Sequence, residues 1–132
     1  MEKTFIMIKP DGVQRGLVGE IIGRIEKKGF NITRAKLVKP SKELVEEHYA
    51  EHREKPFFGE LIDYIAGKAV MAIEVQGKSV IETMRLMIGH RDFSQALPGT
   101  IRGDFANNIT ENIIHGSDSP ESAKRELNLW FK

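Results

Sequence analysis

The strongest constraint on the fold is the order in which two hydrophobic periods alternate along the chain. Short apolar or β-favouring runs at residues 4–8, 30–38, 69–75 and 113–114 are separated by stretches whose apolar residues recur at helical spacing. Read in sequence, the elements follow the order β-α-β-(α-α)-β-α-loop-β-α, which is two β-α-β halves with an insertion. That order predicts an α/β (α+β) sandwich, a ferredoxin-like antiparallel sheet with helices packed on its faces. The 132 residues are expected to form one domain, residues 1–132, large enough to bury roughly two-thirds of the surface of the unfolded chain.

Local punctuation places the elements. Pro10 ends the first strand, and Asp11-Gly12 and Gly16 mark a loop. Leu17, Ile21, Ile22 and Ile25 then fall on one helical face, with Gly29 as the stop and Lys27 and Lys28 at the negative end of the helix dipole. Pro40 closes the second strand, and Ser41 caps a helix running to about Glu51. Pro56 opens a short helix over residues 57–66, and Gly67 stops it. The helix over residues 79–88 turns Val80, Met84 and either Met87 or Ile88 inward. Residues 89–104 read as a loop, and one of that length in a small domain is functional or disordered. Ser119-Pro120-Glu121 is a helix start, with a cap, a proline at the first position and an acid in the first turn. Residues 129–131 either return to the sheet or pack on the surface.

Composition excludes several classes of function. Cysteine is absent, so there are no disulfides, no thiolate catalysis and no cysteine-based zinc site. A formal net charge of +1 disfavours a general DNA or RNA binder, whereas phosphate chemistry needs only a local cation cluster. No apolar run approaches the ~20 residues of a membrane span, and the first is too short for a signal peptide. The expectation is a cytoplasmic protein without a membrane partner. The chain also lacks the Walker A loop, the dinucleotide-binding glycine motif, the protein-kinase signatures, the zincin helix and the nucleophile elbow. Any phosphate chemistry must use side chains in another arrangement.

Three stretches carry that chemistry. Asn112-Ile113-Ile114-His115-Gly116-Ser117-Asp118-Ser119 places a histidine at the end of an apolar strand, where Gly116 is expected to open access to it. Taken alone, such a histidine is more often structural. Ile8-Lys9-Pro10-Asp11-Gly12-Val13 places a lysine at the end of the first strand, and Pro98-Gly99-Thr100-Ile101-Arg102-Gly103-Asp104 places an arginine in a glycine-flanked loop. Each cation alone reads as a solvated surface charge. Together the three stretches closely resemble the nucleoside diphosphate kinase family. Val13 to Glu20, His48-Tyr49, Lys55-Pro56-Phe57-Phe58 and Glu121-Ser122-Ala123 also look like its pattern, so the resemblance covers essentially the whole chain.

The resemblance implies transfer of the terminal phosphoryl of a nucleoside triphosphate to a nucleoside diphosphate, by a ping-pong route through a phosphohistidine. His115 matches the nucleophile, Glu126 the glutamate that holds its other ring nitrogen, and Ser117 the hydroxyl that bonds that glutamate or the phosphate region. Lys9, Arg85 and Arg102 match phosphate-binding cations. Tyr49 matches a hydroxyl beside the histidine and the phosphates. Asn112 and Lys9 match groups that bond the sugar hydroxyls, Phe57 the aromatic on which the base stacks, and Ile109 an aliphatic residue on the other face of the base. Such chemistry is mostly positioning plus cationic stabilisation. Mg2+ is implied without a dedicated protein site, because the metal rides on the substrate phosphates. His48, His52 and His90 read as non-catalytic.

Two departures stand out. Arg91 occupies the position of a family threonine that bonds a phosphate, so it either replaces that contact with a charge or points to solvent. Gly67-Lys68 stands where the family commonly has Gly-Pro. The resemblance further implies a homo-oligomer, a tetramer or hexamer built from dimers, although the chain stops at Lys132, before the C-terminal extension of many members. Two rivals remain: a catalytically weak nucleotide-binding or regulatory relative, and a ferredoxin-like nucleic-acid binder, the latter disfavoured by the neutral charge.

Overall fold

The computed structural model describes all 132 residues. Four strands, β1 (Lys3–Ile8), β2 (Asn31–Val38), β3 (Val70–Gln76) and β4 (Ile114–Gly116), form one sheet in the order β2-β3-β1-β4. Every neighbouring pair is antiparallel. The helices are α1 (Pro10–Gln14), α2 (Val18–Lys27), α3 (Lys42–His48), α4 (Phe58–Ile65), α5 (Val80–Ile88), α6 (Ile101–Phe105) and α7 (Pro120–Trp130), with a 3-10 turn at Ala50–His52. No helix is long and apolar enough to cross a membrane. The ferredoxin-like α/β sandwich expected from the element order is the observed fold.

The strand period of two splits the core. Ile6 and Ile8 of β1 and Ile73 and Val75 of β3 point to one face, where Ile21 and Ile25 of α2 and Val80, Met84 and Ile88 of α5 cover them. Phe5, Met7, Val70 and Ala72 point to the other, against Val45 of α3, Leu61, Ile62 and Ile65 of α4, and Leu127 and Trp130 of α7. The inner face of α5 is therefore completed by Ile88, which is buried, while Met87 is only partly so.

Four local expectations are corrected. Residues 10–14 form α1 rather than a loop. Pro10 starts it, and Gly12 lets it lie against β1 and the chain before β4: a Cβ there would sit 2.7 Å from Ile8 Cγ2 and 3.0 Å from the Ile113 carbonyl oxygen. Within residues 89–104 the backbone forms α6, because the Thr100 hydroxyl accepts from Gly103 N at 3.0 Å. The helix capped by Ser41 ends at His48 and gives way to the 3-10 turn. Residues 129–130 neither return to the sheet nor lie on the surface: α7 continues through them and buries Trp130 to 1% exposure.

Helix α5 has no local cap. Ser79 stands in the left-handed region at φ 53°, and the free N–H of Ile81 is taken instead by Glu2 Oε1 at 3.0 Å, across the molecule.

Candidate active site

Strand β4 pairs with β1 so that His115 lies opposite Met7, on the face covered by α3 and α7. The chain enters β4 through a tight turn. Ile114 N donates to the Asn112 carbonyl at 2.9 Å across Ile113, whose φ is 78°. A β-branched residue with this φ at the centre of a three-residue turn is a strained arrangement. Lys9 N donates to the Ile113 carbonyl at 2.7 Å, which ties the strained turn to the end of β1.

The histidine is oriented from behind. Its Nε2 lies 2.8 Å from Glu126 Oε1, and Ser117 Oγ donates to the same oxygen at 2.7 Å. A carboxylate only accepts, so the proton of a neutral His115 is assigned to Nε2 and Nδ1 keeps its lone pair. Glu126 is 4% exposed, so its charge acts in a medium that screens it poorly. Gly116 follows the histidine for close packing rather than for access: a Cβ there would lie 2.7 Å from Ile88 Cδ1.

The cations come from three further elements. Lys9 Nζ donates to Asn112 Oδ1 at 2.8 Å. Burial, with Arg102 nearby as the next cause, pulls the Lys9 ammonium down from its usual value to about 7, against a smaller opposing effect from Asp11. Arg102 spends three N–H groups on carbonyls, those of Asn112 at 3.3 Å, Gly89 at 3.2 Å and Ile114 at 2.6 Å. A guanidinium has five N–H donors, so two remain for a ligand. Burial, and then Arg85, lower the Arg102 pKa to about 10. Arg85 Nη1 donates to the Gly116 carbonyl at 3.2 Å, next to His115 in the chain. Tyr49 is buried, its hydroxyl has no partner, and its ring centre is 6.4 Å from that of His115. Burial, followed by the charge of Glu126, raises its pKa.

The structure thus brings Lys9, Tyr49, Arg85, Arg102, Asn112, His115, Ser117 and Glu126 together. Arg91 joins through its backbone, its carbonyl accepting from Asn112 Nδ2 at 3.4 Å while its side chain is exposed. Phe57 is 46% and Ile109 55% exposed, so neither is a core residue. Phe57 connects to the cluster through His52, whose ring is 5.7 Å from Phe57 and 6.4 Å from Tyr49.

Sequence reasoning set His48 aside, and the structure places it against His115, with ring centres 4.7 Å apart. Ring nitrogens of His48 and His115 and a carboxylate oxygen of Glu126 lie within 4.8 Å of one another. This trio does not suit a metal. The indole N–H of Trp130 donates to His48 Nδ1 at 3.0 Å, which leaves the proton on Nε2 and no lone pair to offer. Nor is it a set for Mg2+, which prefers oxygen ligands. Asp11, the nearest buried carboxylate to Lys9 in sequence, is instead hydrogen-bonded to the Tyr64 hydroxyl. The signal for His48 lay only in its position beside Tyr49, and nothing in the sequence says that α3 packs on β4.

The nucleoside diphosphate kinase sequence profile matches residues 2–132. The chain belongs to the nucleoside diphosphate kinase family. It is 59% identical to the nucleoside diphosphate kinase of Exiguobacterium sibiricum over 132 residues, covering 100% of this chain and 96% of that protein. It is 61% identical to that of Brevibacillus brevis over 131 residues, covering 99% and 89% of the two. The crystal structure of the family protein from Babesia bovis superposes with a TM-score of 0.97 at 45% identity, covering 100% of this chain and 89% of that one. The halophilic nucleoside diphosphate kinase of Halobacterium salinarum, solved in complex with CDP, gives 0.96 at 44% identity, covering 99% and 88%. The chain is thus a kinase of the nucleotide-binding class.

Proposed function

We propose that the chain moves the terminal phosphoryl of a nucleoside triphosphate to a nucleoside diphosphate in two half-reactions through phosphohistidine 115. In the first, the Nδ1 lone pair of His115 attacks the terminal phosphorus, the bond to the bridging oxygen breaks, and the diphosphate leaves with its electron pair. In the second, a terminal oxygen of another diphosphate attacks the phosphohistidine and His115 is regenerated. Glu126 offsets the positive charge that grows on the imidazole, and Ser117 holds Glu126 in place. Lys9, Arg85 and the two spare N–H groups of Arg102 neutralise the phosphoryl oxygens, and the Tyr49 hydroxyl gains its partner when the phosphates arrive. Asn112 and Lys9 take the sugar hydroxyls. Phe57 and Ile109 flank the base, and stacking without edge hydrogen bonds tolerates any base. Arg91 supplies a further cation on the phosphate side. Mg2+ enters as part of the substrate, chelated by its phosphates.

The observation that carries this reading is the His115–Glu126 hydrogen bond, because it leaves Nδ1 as the nitrogen with a free lone pair. The chain is proposed to work in the cytoplasm, as one unit over residues 1–132, in a homo-oligomer built from dimers, either a tetramer or a hexamer. The rival of a catalytically weak relative rests on Arg91 alone. Incubation with labelled ATP and Mg2+ should leave acid-labile phosphate on His115, and His115→Ala should abolish both the label and the transfer. Turnover of His115→Ala above about a thousandth of the parent rate would refute the assignment.

A further inference from the structure

A second imidazole lies behind the nucleophile, and the reaction as described does not use it. His48 ends α3 with 2% of its surface exposed. Its ring meets that of His115 edge to face, with centres 4.7 Å apart and planes at 79°. It meets Tyr49 in the same way at 4.5 Å. An indole nitrogen only donates, so the bond from Trp130 Nε1 at 3.0 Å makes His48 Nδ1 the acceptor. The single proton of the ring is then on Nε2, which is buried and has no partner.

Protonating His48 would set a second N–H against the indole N–H, donor against donor. The surroundings oppose a charge as well. Facing the ring are His115 from β4, Arg125 and Glu126 from α7, Lys9 from the end of β1, His52 from the 3-10 turn and the neighbouring Tyr49. Burial first, and then His115, Arg125, Lys9 and His52, hold the His48 pKa well below the usual histidine value. The placement is fixed from α7 too, since Arg125 donates to the carbonyls of Glu47 at 3.0 Å and His48 at 3.1 Å.

We propose that Trp130 and His48 form a positioning pair for the nucleophile: Trp130 locks His48 in its neutral Nε2–H form, and that uncharged ring braces the imidazole of His115 so that Nδ1 stays in line for attack. The pair acts through His115 and touches no substrate, and it rests on His115 being the phosphoryl acceptor. As the bond to phosphorus forms, positive charge grows on the His115 ring. A cation one ring-width away would oppose that charge, and an empty space there would let the ring rotate. A neutral aromatic brace avoids both.

The test uses Trp130→Phe, His48→Asn and the double variant. The amide oxygen of asparagine can still accept the indole N–H, but the side chain has no titratable proton and no ring. Trp130→Phe should move the acid limb of the kcat/KM profile up by about one pH unit, with KM at pH 8 unchanged within about twofold. That shift should vanish in the His48→Asn background. His48→Asn alone should lower kcat by about tenfold or more and spare KM. A histidine-ring NMR titration reads His48 without turnover. In the parent, His48 should stay neutral at a pH where a free imidazole is already protonated, and in Trp130→Phe it should begin to titrate. Because this readout needs no activity, it separates failure of the pair from failure of the phosphohistidine reading, and the parent measurement stands even where a variant does not fold. The proposal is overturned by a Trp130→Phe profile that superposes on the parent, by a shift that persists without His48, or by ordinary titration of His48 in the parent.

Discussion

Lys9 is expected to make proton uptake part of substrate binding. Its ammonium is buried beside Arg102, with a pKa near 7 in place of 10.5. At pH 8 only about one-tenth of the free protein then carries a proton on Lys9. A polyphosphate drawn up to Nζ restores the charge, so binding should take up close to one proton per nucleotide at that pH. By linkage, affinity should weaken by about tenfold, or about 1.4 kcal/mol, for each pH unit above 8. Below pH 7 the proton is already present and the slope should fade. The same shift acts on folding. The unfolded chain holds the Lys9 proton up to its ordinary value and the folded chain releases it near 7. Stability of the free protein should therefore rise with pH between those values, by at most about 1.4 kcal/mol per unit. Lys9→Gln should flatten both slopes. The assay is calorimetric titration of a nucleoside diphosphate in two buffers of different ionisation enthalpy, on the parent and on Lys9→Gln, at pH 8 and pH 9. Equal proton uptake by the two proteins, or a parent affinity that stays flat between those pH values, would refute the reasoning.

Three more outcomes are expected. Glu126→Gln keeps an oxygen for His115 Nε2 but removes the charge, and a charge-assisted bond is about twice as strong as a neutral one, so kcat should drop by about tenfold. Its melting temperature should hold, because a buried amide costs less to desolvate than a carboxylate; a lower melting temperature with unchanged rates would make Glu126 merely structural. Phe57→Ala should weaken all nucleotides alike, by about 1–3 kcal/mol, with little effect on thermal stability, and a loss confined to one base would refute the stacking role. Arg91→Thr should weaken diphosphate binding and reduce its dependence on salt, and tighter binding by the variant at low salt would exclude a phosphate-gripping role for Arg91.

What could be read from the sequence follows from the range of each cause. The strands at residues 4–8 and 69–75 declare themselves because one residue's neighbours decide whether a run is apolar. Likewise Ser119-Pro120-Glu121 announces α7, since capping is settled within one turn. Helix α1 was hidden because Asp11-Gly12 has the chemistry of a turn, and only the closeness of Ile8 and Ile113 explains why the glycine sits inside a helix. Lys9, His115 and Arg102 stand in motifs, so their place in the site could be expected. His48 and Trp130 stand in none. Their contact joins residues 82 positions apart, and only the packing of α3 and α7 on one face of the sheet creates it.

That last helix also sets a schedule. Helix α7 brings Glu126, Arg125 and Trp130 to a histidine that is complete in sequence before the helix begins. Synthesis runs from the N-terminus, so a growing chain holds His115, Lys9, Arg85 and Arg102 before Glu126 can bond the imidazole and before Trp130 can fix His48 behind it. A ribosome-bound chain halted before Pro120 is expected to take no label from ATP, and label on such a chain would contradict this. Activity should therefore begin only once α7 has been made and has docked on the sheet.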